Sequence, residues 1–126
     1  MDFTINRLCP ALGSEIVGLD VSDTPSGNLV GEIRNALNEA GGLLILRDQE
    51  LTPLQHVDFS RAFGPLFGEA EQLQDTVKPY LHPDFPQIYR VSNKVVDGKV
   101  QGRVKAGTYW HSDVSFRKRP AMVSIL

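Results

Sequence analysis

With 126 residues, 41% hydrophobic and 22% charged, the chain has the composition of one soluble globular domain spanning residues 1–126. A formal net charge of −2 gives no electrostatic case for nucleic acid, and no apolar run approaches a membrane span, so neither partner is expected. The single cysteine, Cys9, excludes an internal disulfide and any thiolate-based zinc or iron–sulfur site.

The start, Met1-Asp2-Phe3-Thr4-Ile5-Asn6-Arg7, lacks the basic and apolar regions of a signal peptide, which makes the cytoplasm the expected compartment. Residues 3–8 alternate like a half-buried strand, and 15–21 read as a second, with Gly13 and Gly18 as turn or bulge positions. Between them, Cys9 is expected as a small buried or half-buried side chain. Residues 22–27 are turn-rich. A helix is predicted from about 28 to 40, with Leu29, Ile33, Ala36, Leu37 and Ala40 on one face and Gly41-Gly42 ending it.

Leu43-Leu44-Ile45-Leu46 is a continuous apolar run that suits a strand covered on both faces, closed by Arg47-Asp48-Gln49. A second helix is predicted after Thr52, which is a good N-cap with Pro53 at the first helical position and Gln55 completing a capping box. Gly64 sits where a C-terminal glycine is expected. After a weakly patterned stretch to about Pro86, residues 88–91 resume as strand. Asp97-Gly98, between Val95-Val96 and Lys99-Val100, signals a type I′ hairpin. Residues 121–126 read as a final apolar strand without a turn or polar tail, as expected for the front portion of a longer, truncated domain.

All three histidines are followed two residues later by aspartate: His56-Val57-Asp58, His82-Pro83-Asp84 and His111-Ser112-Asp113. Context separates them. At about 100° per residue, His56 and Asp58 fall on nearly opposite sides of the second helix and cannot share a metal. His82 lies among three prolines in eight residues, an irregular loop. His111 is flanked by Tyr109, Trp110, Val114 and Phe116, which favour strands. On an extended strand, His111 and Asp113 share a face and reach one metal ion, while Trp110 packs on the other. Histidine plus carboxylate supplies two of the three ligands of the 2-His-1-carboxylate triad that leaves positions open on iron(II). A buried histidine satisfied by its neighbouring aspartate, without metal, is the competing structural reading. Zinc is a further alternative, although no general base or third ligand is visible for it.

Taken together, Leu43–Leu46 with Arg47-Asp48-Gln49, Leu51-Thr52-Pro53, Phe63-Gly64-Pro65-Leu66 and Trp110-His111-Ser112-Asp113 resemble the TauD/TfdA family of iron(II)- and 2-oxoglutarate-dependent dioxygenases. Gly18-Leu19-Asp20-Val21 fits the same pattern. The resemblance implies an α+β chain forming the N-terminal part of a double-stranded β-helix (a jelly roll of the clavaminate synthase type) with flanking helices. It implies His111 and Asp113 as metal ligands and Val114 beside the substrate pocket. Iron(II) and the cosubstrate 2-oxoglutarate follow, with O₂ and a small anionic sulfonate or aryloxy or alkyl carboxylate as partners. A substrate C–H bond is then hydroxylated as 2-oxoglutarate becomes succinate and CO₂.

The residues that bind the cosubstrate are not identifiable, because the family's second ligand histidine, its arginine and a threonine lie further downstream. Arg90-Val91-Ser92-Asn93 and the hairpin look closer to the aryloxyacetate branch. Gly107, where taurine dioxygenase has asparagine, counts against taurine. Arg117-Lys118-Arg119 reads as a solvated turn or as a means of steering anions. Trp110 and Phe116 are expected in the core. The alternative to an enzyme is a non-catalytic remnant or interaction module whose open sheet edge another chain completes, which also leaves a homo-oligomer open.

Overall fold

A three-stranded sheet and two helices organise the first of two units into which the computed structural model divides the chain, Met1–Gly64 and Pro65–Leu126. The structure describes residues 3–69 and 73–126. Strand β1 (Thr4–Arg7) runs antiparallel to β2 (Ser14–Val17), and β2 runs parallel to β3 (Leu44–Leu46). A parallel pair needs a crossover, and helix α1 (Gly27–Glu39) supplies it.

Helix α1 starts one residue before the predicted position because Ser26 caps it, accepting a hydrogen bond from the Leu29 amide. Its apolar stripe buries Leu29, Val30, Ile33 and Ala36. The end is a Schellman motif. Gly42 donates to the Leu37 carbonyl and Gly41 to that of Asn38, with both glycines at positive φ. The Arg7 guanidinium then takes the Glu39 carbonyl at 2.9 Å, satisfying another orphan acceptor at the helix end.

Ile16, Leu19, Val21, Ala40, Val57 and Phe59 join the α1 stripe in the core, and Ile16 is only 2% exposed. Strand β2 is shorter than its hydrophobic pattern because Gly18, at φ 87°, turns the chain out of the sheet. Leu19 and Val21 are buried nonetheless, since Gln49 holds the segment. Its Nε2 donates to the Leu19 carbonyl at 2.8 Å, and its Oε1 accepts from the Val21 amide at 3.1 Å. Strand β3, at the edge of the sheet, is half-buried rather than covered on both faces. Cys9 is exposed, not buried, in the β1–β2 connection.

Helix α2 (Pro53–Arg61) has the full capping box: Thr52 Oγ1 accepts from the Gln55 amide, and the Gln55 side chain accepts from the Thr52 amide. Phe59 packs edge-on against Phe63, with ring centroids 5.3 Å apart. Among the described residues, no helix is long and apolar enough to cross a membrane.

In the second unit, a 3-10 turn at Lys78–Tyr80 precedes a hairpin of β4 (Val95–Val96) and β5 (Lys99–Val100). Asp97 and Gly98 both have positive φ, as a type I′ turn requires. The strand predicted at 88–91 survives only as isolated bridges, Leu81 to Tyr89 and Val91 to Arg103. Residues 108–116 and 121–126 form no strand. A strand needs a neighbour to take its backbone hydrogen bonds, and β-propensity is largely packing against such a neighbour. Trp110 and Phe116 are 103% and 73% exposed, so neither lies in a core and Trp110 packs on no opposite face. The described residues hold small sheets and two helices, consistent with part of a jelly roll.

Candidate metal centre

Residues 107–117 follow an irregular path. Gly107 has φ 65°, and a Cβ there would lie 3.3 Å from His111 Cε1, so the imidazole rests close over the glycine backbone. After Asp113 the chain turns, closed by a hydrogen bond from the Arg117 amide to the Val114 carbonyl at 3.0 Å. Val114 has φ 46°, a left-handed conformation that a β-branched residue adopts only under strain. It sits half-buried directly beside the aspartate.

The local conformation differs from the expected strand, yet it brings the two side chains together: His111 Nε2 lies 3.3 Å from Asp113 Oδ1. The other imidazole nitrogen, Nδ1, is 2.8 Å from the Tyr109 carbonyl oxygen. A carbonyl only accepts, so this contact places a hydrogen on Nδ1, and in the neutral ring the lone pair is then on Nε2. That lone pair faces a carboxylate oxygen. Two acceptors this close are stable only with a cation between or beside them, either a proton or a metal ion.

Asp113 Oδ2 is occupied separately, accepting a hydrogen bond from Ser124 Oγ at 2.6 Å. Neither Tyr109 nor Ser124 was identifiable as a partner from the sequence. A backbone carbonyl carries no residue signature, and Ser124 lies within an apolar run that reads as strand. The imidazole and carboxylate are 40% and 55% exposed, so an ion can reach them.

The donor set fits a divalent cation. Cis ligands about 2.1 Å from an octahedral ion lie about 3.0 Å apart, close to the observed separation. Among the described residues, no group of three or more His, Cys, Asp or Glu side chains is gathered for a metal.

The other two His-x-Asp pairs do different work. Asp58 pairs with Arg61 at 3.6 Å along α2. His82 Nδ1 accepts from the backbone amides of Asp84 and Phe85, both at 3.2 Å, which makes it the pivot of a local turn. In the basic run after the motif, Lys118 and Arg119 are exposed, but Arg117 is not simply solvated. Its guanidinium stacks over the Phe67 ring at 4.5 Å.

Residues 4–126 match the family described as "Taurine catabolism dioxygenase TauD, TfdA family". The chain belongs to the TauD/TfdA family. An alpha-ketoglutarate-dependent 2,4-dichlorophenoxyacetate dioxygenase of Cupriavidus pinatubonensis is 29% identical across the whole chain, which covers 45% of that protein. The solved structure of AAD-2 in complex with Mn(II) and N-oxalylglycine superposes with a TM-score of 0.71 at 25% identity, over 96% of this chain and 43% of that one. A taurine dioxygenase from Burkholderia xenovorans gives 0.66 at 26% identity, over 95% of this chain and 38% of that one. The chain thus spans less than half the length of these TauD/TfdA relatives, and the curated ones are alpha-ketoglutarate-dependent dioxygenases.

Proposed function

We propose that the chain carries part of the iron(II) site of a 2-oxoglutarate-dependent dioxygenase acting on a small anionic substrate, with His111 Nε2 and Asp113 Oδ1 as two of the ligands. The observation that supports this reading is the orientation of the pair. The Tyr109 carbonyl holds Nδ1–H and so turns the Nε2 lone pair toward a carboxylate oxygen 3.3 Å away. The Ser124 hydroxyl holds the second carboxylate oxygen and keeps Oδ1 for the ion. Val114, next after Asp113, is assigned to the substrate side of the site by the family resemblance.

Iron(II) with 2-oxoglutarate and O₂ supplies C–H hydroxylation coupled to decarboxylation of the cosubstrate to succinate. The chain's own residues present one imidazole nitrogen and one carboxylate oxygen at accessible positions. Relatives named for 2,4-dichlorophenoxyacetate and for taurine both act on small organic anions, which supports an anionic substrate here.

The test is anaerobic addition of iron(II) and 2-oxoglutarate to the protein at the length of its relatives. A visible metal-to-ligand charge-transfer band is expected, and His111→Ala should abolish it. A band unchanged in that variant overturns the ligand assignment.

A further inference from the structure

We propose that the cleft beside Arg90 is an oxyanion site that takes the carboxylate of the organic substrate, with Lys94 as its second cation. The charge distribution points to this half of the chain. Residues 78–126 carry nine Lys and Arg against three Asp, whereas residues 1–77 carry four Arg against twelve Asp and Glu. A cationic lobe raises the local concentration of small anions.

Arg90 is fixed at its backbone from both sides. Its amide donates to the Tyr80 carbonyl at 2.8 Å, and its carbonyl accepts from the Arg103 amide at 2.9 Å. Gly102 permits the second contact: a Cβ at that position would lie 2.8 Å from the Arg90 oxygen, and its φ is 139°. The guanidinium held in this way is poorly satisfied. Arg90 is half-buried, its Nε is enclosed with no hydrogen-bond partner, and Nη1 makes one long bond, 3.3 Å, to Gln101 Oε1. No carboxylate pairs with it among the described residues.

Arg103 next to it is different. It donates to the Tyr89 hydroxyl, which pushes its pKa further up, and it lies over the Tyr80 ring. What sets Arg90 apart is the enclosed Nε that no acceptor meets, since Arg103 at least has the Tyr89 hydroxyl. Leaving such a group unpaired is costly, and a carboxylate matches the planar fork of a guanidinium with two parallel hydrogen bonds. A cleft of about 500 Å³ opens beside it, lined by His82, Tyr89, Ser92, Lys94 and Gln101 among others, with no acidic residue in its wall. Turning the guanidinium from Gln101 onto a carboxylate gives Nε the acceptor it lacks.

The site stands on the geometry of the second unit alone; only the identification of the acid as substrate rests on the proposed function. The experiment is an NMR titration of the ¹⁵N-labelled 126-residue chain with phenoxyacetate, with phenoxyethanol as the uncharged control and 2-oxoglutarate as the cosubstrate control. Saturable shifts are expected at the Arg90 Nε–H and at the amides of Ser92, Lys94 and Gln101 with phenoxyacetate, and none with phenoxyethanol. Arg90→Gln should remove the response. Arg90→Lys, which keeps the charge and loses the fork, should weaken it about ten-fold and serves if the glutamine variant fails to fold. Lys94→Gln should weaken it several-fold.

Three results overturn the proposal: no saturable shift, an equal response to phenoxyethanol, or unaltered binding in both Arg90 variants. Tighter binding of 2-oxoglutarate than of phenoxyacetate overturns the substrate assignment. No iron(II) is present in this titration, and the charge-transfer band reads the iron site separately, so a failed iron site and a failed anion site are told apart.

Discussion

Ser124 Oγ donates to Asp113 Oδ2 at 2.6 Å, while the same carboxylate turns its other oxygen toward His111. One oxygen is anchored and the other presented. Groups that orient a ligand in this way govern metal affinity without touching the metal.

Replacing Ser124 with Ala should therefore weaken Mn(II) binding by about ten-fold. Ser124→Thr, which keeps the hydroxyl, should stay close to the parent. Both residues are exposed, so the thermal midpoint should not move. Mn(II) titration followed by electron paramagnetic resonance reads the affinity. Equal affinity in the alanine variant would show that the contact does not orient Asp113.

Gln49 ties the Leu19–Val21 segment to the end of β3 by donating to the Leu19 and Arg47 carbonyls and accepting from the Val21 amide. Gln49→Ala leaves the partly buried Leu19 carbonyl and Val21 amide unsatisfied and should cost about 1–3 kcal/mol in urea unfolding of the first unit. Gln49→Glu keeps the acceptor, loses both donors and places a carboxylate against two carbonyls. It should be no better than alanine at neutral pH. A glutamate variant as stable as the parent would refute the role of the two donated bonds.

Amides of Ala11 and Leu12 hydrogen-bond the exposed Cys9 sulfur and lower its pKa below that of an ordinary thiol, with Arg7 adding a smaller effect. Because the folded pKa is depressed, the thiolate is favoured by folding. This contribution is present above the unfolded thiol's pKa and is lost as pH falls through the folded value. Iodoacetamide should therefore alkylate the folded chain with a pH midpoint below that of the urea-unfolded chain. Coincident midpoints would contradict the contact.

Much of the first unit was legible because its signals are local. Thr52 and Gln55 lie within one helical turn of each other, Gly41-Gly42 supplies positive φ where α1 must end, and Leu29, Ile33 and Ala36 recur at helical spacing. Asp97-Gly98 defined its hairpin for the same reason. The region around His111 was misread in conformation because Tyr109, Trp110 and Phe116 favour strands only against a packing neighbour, and here they face solvent. The approach of His111 to Asp113 survived that error, because a turn as well as a strand brings side chains two residues apart together. Ser124 was invisible because its partner lies eleven residues away. Cys9 was expected inside from residue type alone, and the exposed connection it occupies overrode that tendency.

A double-mutant cycle of Mn(II) binding to the 126-residue chain most directly tests whether His111 and Asp113 grip one ion. His111→Ala and Asp113→Ala should each weaken binding about ten-fold or more, and the double variant should be no weaker than the worse single one. Losses that simply add, or single variants that bind as the parent does, would contradict a shared ion.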